Sequence, residues 1–150
     1  MYKVLIVDDE QLIRSGMIAR FQYLNFTFER IREAASGVEA LALLEKEPAD
    51  IVITDIKMPD MDGMTLIREA KEKYPGTQFV VLSGYAEFEY AETAIELGVK
   101  SYLLKPISND ELKRVMRKLF KTLEKERQME VEIFRKHQLE TEQKGWLQEK

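Results

Sequence analysis

An open α/β fold, in which a parallel β-sheet is covered by helices on both faces, is predicted by two features of this sequence. Short apolar runs rich in β-branched residues recur along the chain, and each is followed by a longer segment with helical spacing. The runs Val4 to Val7, Ile51 to Thr54, Phe79 to Leu82 and Tyr102 to Leu104 have the length and near-continuous hydrophobicity of strands buried on both faces. A weaker fifth run, Ile31 to Ala35, lies between the first two. Helical spacing marks Leu12 to Leu24, Val38 to Lys46, Met64 to Tyr74 and Phe88 to Leu97. The order βαβαβαβαβ, closed by one more helix, requires right-handed crossovers that pack each helix back onto the sheet.

Boundary residues support each element. Pro75-Gly76 closes the third helix. Gly98 follows Leu97 where a left-handed cap is expected, with Val99 supplying the accompanying apolar contact. Ser108-Asn109-Asp110-Glu111 has the spacing of a capping box, which starts the last helix there. Beyond Ser108 no proline occurs and the sole glycine is Gly145, so this helix has no encoded stop and could extend for roughly 60 Å at about 1.5 Å per residue. Leu112, Val115, Met116, Leu119 and Leu123 give its first part an apolar stripe. Further on, Met129, Ile133, Phe134, Leu139, Trp146 and Leu147 keep no single heptad register. The expected organisation is a compact domain over residues 1–122 and a helical extension or linker, a candidate coiled coil, over 123–150.

Composition narrows the function classes. The 150 residues carry 27 acidic and 23 Lys or Arg side chains, for a formal charge of −4, so no cationic excess invites direct contact with nucleic acid. The chain has no cysteine, which excludes disulfides, thiolate catalysis and cysteine-type zinc sites. His137, the single histidine, sits among charged residues and lacks the partners of a ligand cluster. The opening Met1-Tyr2-Lys3 runs into an apolar stretch far shorter than a membrane span and without a cleavage pattern. The expected location is the cytoplasm, with no membrane partner.

The chemistry lies in where polar residues sit relative to the strands. Asp8 and Asp9 end the first strand, Asp55 the third, Ser83 the fourth and Lys105 the fifth. In an open parallel sheet these ends share one edge, where ligands bind. Taken singly, each has an ordinary explanation as a turn, cap or surface residue. Together they bring acidic, hydroxyl and basic groups to one edge. Three converging carboxylates need a compensating cation, and hard oxygen ligands suit Mg²⁺. Beside such an ion Asp55 can act as a nucleophile toward a phosphoryl group, with Lys105 and the Ser83 hydroxyl on the phosphoryl oxygens.

The segments Val4-Leu5-Ile6-Val7-Asp8-Asp9-Glu10, Thr54-Asp55-Ile56-Lys57-Met58-Pro59-Asp60-Met61-Asp62-Gly63, Leu82-Ser83-Gly84 and Tyr102-Leu103-Leu104-Lys105-Pro106 together resemble the receiver domain of bacterial two-component response regulators. The likeness extends over about residues 1–122. Ser83-Gly84-Tyr85-Ala86-Glu87-Phe88-Glu89-Tyr90-Ala91 and Leu97-Gly98-Val99 look like receivers joined to AraC-type DNA-binding domains, although no helix-turn-helix spacing follows. The resemblance implies a flavodoxin-like sheet of order 2-1-3-4-5. It further implies phosphotransfer from a sensor histidine kinase to Asp55, and Mg²⁺ held by Asp9, Asp55 and the backbone carbonyl of Lys57 with help from Asp8. A cis peptide between Lys105 and Pro106 and a switch pair, Ser83 and Tyr102, are implied too. Lys57 and Tyr85 would tune dephosphorylation. Other expected partners are a second copy of the chain through the C-terminal helix, and DNA only through an output domain outside this chain.

Competing readings fit less well. A Mg²⁺-dependent aspartyl-nucleophile phosphatase of the haloacid-dehalogenase type places an Asp where Lys57 stands. A nucleotide or flavin binder wants a glycine-rich loop where Asp8-Asp9-Glu10 stands. A stand-alone receiver acting by protein contact, and a coiled-coil protein with a vestigial receiver, complete the set; the latter conflicts with an intact set of site residues.

Overall fold

The computed structural model describes the backbone of residues 1–84 and 88–148, and the side chains of 1–84 and 89–142. Its elements run β1 (Lys3–Val7), α1 (Gln11–Tyr23), β2 (Arg30–Ala34), α2 (Gly37–Lys46), β3 (Ile51–Thr54), α3 (Gly63–Lys73), β4 (Gln78–Ser83), α4 (Phe88–Glu96), β5 (Ser101–Leu104) and α5 (Asn109–Gln148). The strands form one five-stranded sheet of order β2-β1-β3-β4-β5, and every neighbouring pair is parallel. This is the doubly wound, flavodoxin-like fold expected from the sequence. Elements differ from the sequence expectation by a residue or so at their ends, as helix and strand ends generally do.

The buried strands explain the order. All of β3 and β4 and most of β1 are buried, as central parallel strands must be. β2 is an edge strand, and its exposed Arg30 and Glu33 give it the mixed pattern that made it the weakest run in the sequence. Side chains from β1, β3 and β4 meet Leu44, Leu66, Ile67 and Ala70 from the helices in a continuous apolar core. Fully burying a leucine or isoleucine side chain contributes roughly 1.5–3 kcal/mol before conformational entropy is subtracted.

Local devices set the helix ends. Val99 N donates to Ala94 O and Gly98 N to Ile95 O, both at 3.0 Å, with Gly98 at φ +74°, so α4 ends in a Schellman motif as anticipated. The same motif ends α1 without glycine. Asn25 takes φ 61°, Phe26 N donates to Phe21 O at 2.9 Å, and the two phenyl rings meet edge to face at 6.3 Å. Ser36 caps α2 through Glu39 N at 3.1 Å, Asp62 caps α3 through Thr65 N at 2.8 Å, and Ser108 caps α5 through Glu111 N at 3.1 Å.

The chain divides into two compact units, Met1–Val115 and Met116–Lys150. In the first, Leu112 and Val115 are buried. In the second, Met116, Leu119 and Leu123 are buried, whereas Met129, Val131, Ile133, Phe134 and Leu139 are exposed. Among the described residues, no helix is long and apolar enough to cross a membrane.

Candidate functional site

Parallel pairing carries the site residues to one edge of the sheet, because the ladder continues one step past each strand. Asp8 N donates to Ala34 O at 3.1 Å, Asp55 N to Val7 O at 3.0 Å, and Lys105 N to Ser83 O at 2.7 Å. The first residue of each loop is therefore held as firmly as the strand before it. Carboxylate oxygens of Asp8, Asp9 and Asp55 lie within 4.8 Å of one another. Lys105 Nζ reaches into the same cluster, 3.3 Å from Asp8 Oδ2 and 3.6 Å from Asp55 Oδ2. Ser83 is fully buried at the end of β4. The register pairs Val81 with Tyr102 and Ser83 with Leu104, so Ser83 and half-buried Tyr102 share one face of neighbouring strands, about two residues apart along them. The Lys105–Pro106 peptide is cis. Lys57 is exposed on the loop after Asp55. Tyr85 lies outside the described residues.

Electrostatics give the cluster its character. One ammonium faces three carboxylates, so negative charge is left uncompensated, and the donors are all hard oxygens. Clustered carboxylate oxygens are the ligands Mg²⁺ takes, and those of Asp8, Asp9 and Asp55 all lie close enough together for one ion to reach them. The donor set fits the ion. Burial, foremost, raises the Asp55 carboxyl above the ordinary carboxylate range, and the Asp8 charge adds to this; Lys105 and the Ile56 amide pull the other way.

Asp55 is fixed on several sides. Its Oδ1 accepts from Ile56 N at 2.8 Å, and its carbonyl accepts from Thr54 Oγ1 at 2.9 Å. Gly63, at the start of α3, packs so closely that a Cβ there would lie 2.1 Å from the Asp55 carbonyl oxygen, while Gly63 N donates to Ile56 O at 2.7 Å. Asp8 does double duty: Oδ1 accepts from Glu10 N at 2.9 Å, the turn role its position suggests, while Oδ2 faces Lys105.

Three supporting residues went unassigned at the sequence level. Arg14 on α1 donates through Nη1 to the Asp8 carbonyl at 2.6 Å and through Nε to Glu33 at 3.1 Å. Asp60 accepts from Val38 N at 3.0 Å, which ties the loop after Asp55 to the start of α2 and, as the largest cause, lowers the Asp60 carboxyl. Arg20 on α1 donates to the Ile107 carbonyl and to Asn109. Their partners are tens of residues away or main-chain atoms, and neither leaves a trace in local spacing.

The chain belongs to the receiver domain family of response regulators, whose family model, described as the response regulator receiver domain, matches residues 4–117. Among curated proteins it is 44% identical over 112 residues to the uncharacterized transcriptional regulatory protein YesN of Bacillus subtilis (strain 168), a match covering 75% of this chain and 30% of that protein. It is 37% identical over 123 residues to the transcriptional regulatory protein HptR of Staphylococcus aureus (strain NCTC 8325 / PS 47), covering 82% of this chain and 48% of that one. The chain thus spans half or less of these relatives' length. Among solved structures, the REC domain of AraT, a response regulator from Geobacillus stearothermophilus, matches with 43% identity and a TM-score of 0.76, over 84% of this chain and 98% of that one. A two-component transcriptional regulator AraC from Clostridium phytofermentans ISDg matches with 31% identity and a TM-score of 0.75, over 86% and 99%.

Proposed function

We propose that this receiver is a phosphorylation-driven switch in which Asp55 accepts a phosphoryl group from the phosphohistidine of a sensor histidine kinase, with Mg²⁺ as cofactor. The observation that carries this reading is the convergence of Asp8, Asp9 and Asp55 on one point with Lys105 Nζ beside two of them. A carboxylate oxygen of Asp55 forms the new bond to phosphorus as the bond from phosphorus to the histidine nitrogen breaks, and the histidine leaves with the electron pair. Asp9, Asp55 and the Lys57 carbonyl hold the ion, with Asp8 assisting. Bound there, Mg²⁺ neutralises charge on the incoming phosphoryl oxygens. Lys105 and the Ser83 hydroxyl take the remaining oxygens through charge-assisted hydrogen bonds.

The protein works by shifting a population rather than by turnover. As Ser83 moves toward the phosphoryl group, Tyr102, on the same face, turns inward, and the surface of α4, β5 and the start of α5 is remodelled. Residues 1–122 form the switch, and 123–150 a helical linker that also supports self-association. Transcriptional output, as the names of YesN and HptR suggest, resides in an output domain that makes the DNA contact. Treatment with a small phosphodonor and Mg²⁺, followed by intact mass, tests the reading: the gain should be lost to hydroxylamine, as an acyl phosphate is, and a gain that survives hydroxylamine, no gain, or an equal gain in Asp55→Asn overturns it.

A further inference from the structure

The junction between β5 and α5 carries Lys105 at its start and Asn109, the first residue of α5, at its end. Its beginning is anchored to the sheet, since Lys105 N donates to Ser83 O at 2.7 Å. Its far side is anchored to another helix. The guanidinium of Arg20, on α1, donates through Nη2 to the Ile107 carbonyl at 2.6 Å, and through Nε and Nη2 to Asn109 Oδ1 at 3.0 and 2.9 Å. One planar fork therefore holds main chain two residues after Lys105 and a side chain four residues after it. Asn109 is free to serve this contact because Ser108, not Asn109, caps α5.

Lysine carries its charge on a flexible stem, and placing that charge within bonding distance of two carboxylates requires its backbone to be held still. A ligand that meets an already placed ammonium loses less free energy to ordering than one that must order the loop itself. A lysine in place of Arg20 has a single compact donor centre and could not span both acceptors in one plane.

We propose that Arg20 is a positioning residue for Lys105: by clamping Ile107 and Asn109 from α1, it pre-places the ammonium against Asp8 and Asp55. The inference rests on the reading of Asp55 as phosphoryl acceptor. It predicts that Arg20 acts on ligand binding only through Lys105, so its effect should vanish when the ammonium is gone.

The test uses the full chain, Mg²⁺ and beryllofluoride as phosphoryl mimic, titrated by calorimetry at a temperature where every variant is folded. Arg20→Gln is expected to raise the half-saturating beryllofluoride concentration about tenfold, the scale of losing a supporting contact behind a ligand-binding group. Asn109→Ala should weaken binding in the same direction, while Asn109→Asp, which keeps the acceptor, should match the wild type. In a Lys105→Gln background, Arg20→Gln should change the midpoint less than twofold. An equal effect in both backgrounds, or none beside an intact Lys105, overturns the positioning role. Amide exchange of Ile107 to Asn109 in the ligand-free protein checks the clamp independently of phosphoryl chemistry. Faster exchange in Arg20→Gln supports it, and unchanged exchange overturns it. A wild type that binds no beryllofluoride while showing that faster exchange in the variant would leave the clamp standing as a contact, but overturn both the functional reading and the positioning role built on it.

Discussion

Asp55 combines two demands that conflict in the metal-free protein. In the proposed role it must be ionised to attack phosphorus, yet burial and Asp8 oppose its charge more than Lys105 and the Ile56 amide favour it. A carboxyl raised in the folded state binds its proton more tightly there than in the unfolded chain. Its stabilising contribution is therefore fully present below the ordinary carboxyl pKa and is lost as pH rises through the folded value. Above the folded value the ionised group is a net liability to the metal-free fold, which a bound cation would relieve. Asp55→Asn should raise the thermal midpoint of the metal-free protein near pH 7, and the gain should shrink toward pH 4. Adding Mg²⁺ should stabilise the wild type more than the variant. Calorimetric scans across pH, with and without Mg²⁺, check this; a lower midpoint for Asp55→Asn at pH 7 would contradict the charge balance drawn for the site. Asp9→Asn should weaken Mg²⁺ binding and slow phosphorylation, because the ion loses a charged ligand. An unchanged affinity in a Mg²⁺ titration would remove Asp9 from the ligand set.

At the scale of elements, the site depends on close approaches that tolerate little change. Gly63 is the sharpest case, since the atom a Cβ would meet is the carbonyl of Asp55, 2.1 Å away, and backbone cannot swing aside as a side-chain tip can. Gly63→Ala should destabilise the fold by about 3 kcal/mol, the upper end of the usual overpacking range, and should also displace Asp55. Denaturant unfolding measures the first effect. A loss near zero would mean that α3 can shift away from β3 freely. Ser108→Ala removes the bond to Glu111 N and should cost about 1 kcal/mol. Amide exchange in the first turn of α5 reads this directly, and an unchanged rate at Glu111 would show that another group caps the helix. The β2 edge depends on different means. Arg32 on β2 donates to the carbonyls of Leu43 and Glu47 at 2.8 and 2.7 Å, closing the end of α2 with a side chain from the neighbouring strand, where charge complements the helix dipole.

Across the whole molecule, the question is whether an event at Asp55 reaches α4, β5 and the start of α5. Ser83→Ala keeps nucleophile and metal ligands, so phosphoryl should still be accepted on Asp55, while the exchange changes across residues 88–115 induced by beryllofluoride should largely disappear. Identical responses in wild type and variant would sink the coupling. The long α5 raises the second question. Its exposed Met129, Ile133 and Phe134 favour self-association, against a seam interrupted by charged residues. Sedimentation of a concentration-independent monomer, with and without beryllofluoride, would remove the dimer from the proposal.

The sequence by itself determined the element order, the parallel sheet and the edge at which Asp8, Asp9, Asp55, Ser83 and Lys105 meet. Those features are encoded locally: strand runs differ from helical spacing by period, and the first polar residue after each buried run must sit at the strand end. Gly98 and Ser108 were legible for the same reason, because a cap involves neighbours within a few residues. Tertiary structure decided what supports the site. Arg14 on Asp8, Asp60 on α2, Arg20 on the β5–α5 junction and the pressing of Gly63 against Asp55 join residues whose contact depends on how helices lie over the sheet. An arginine that reaches a carbonyl 87 residues away looks, along the chain, like any solvated cation. The balance of burial against Lys105 at Asp55 likewise exists only once both strand ends are brought together, since desolvation and charge separation are properties of the assembled site.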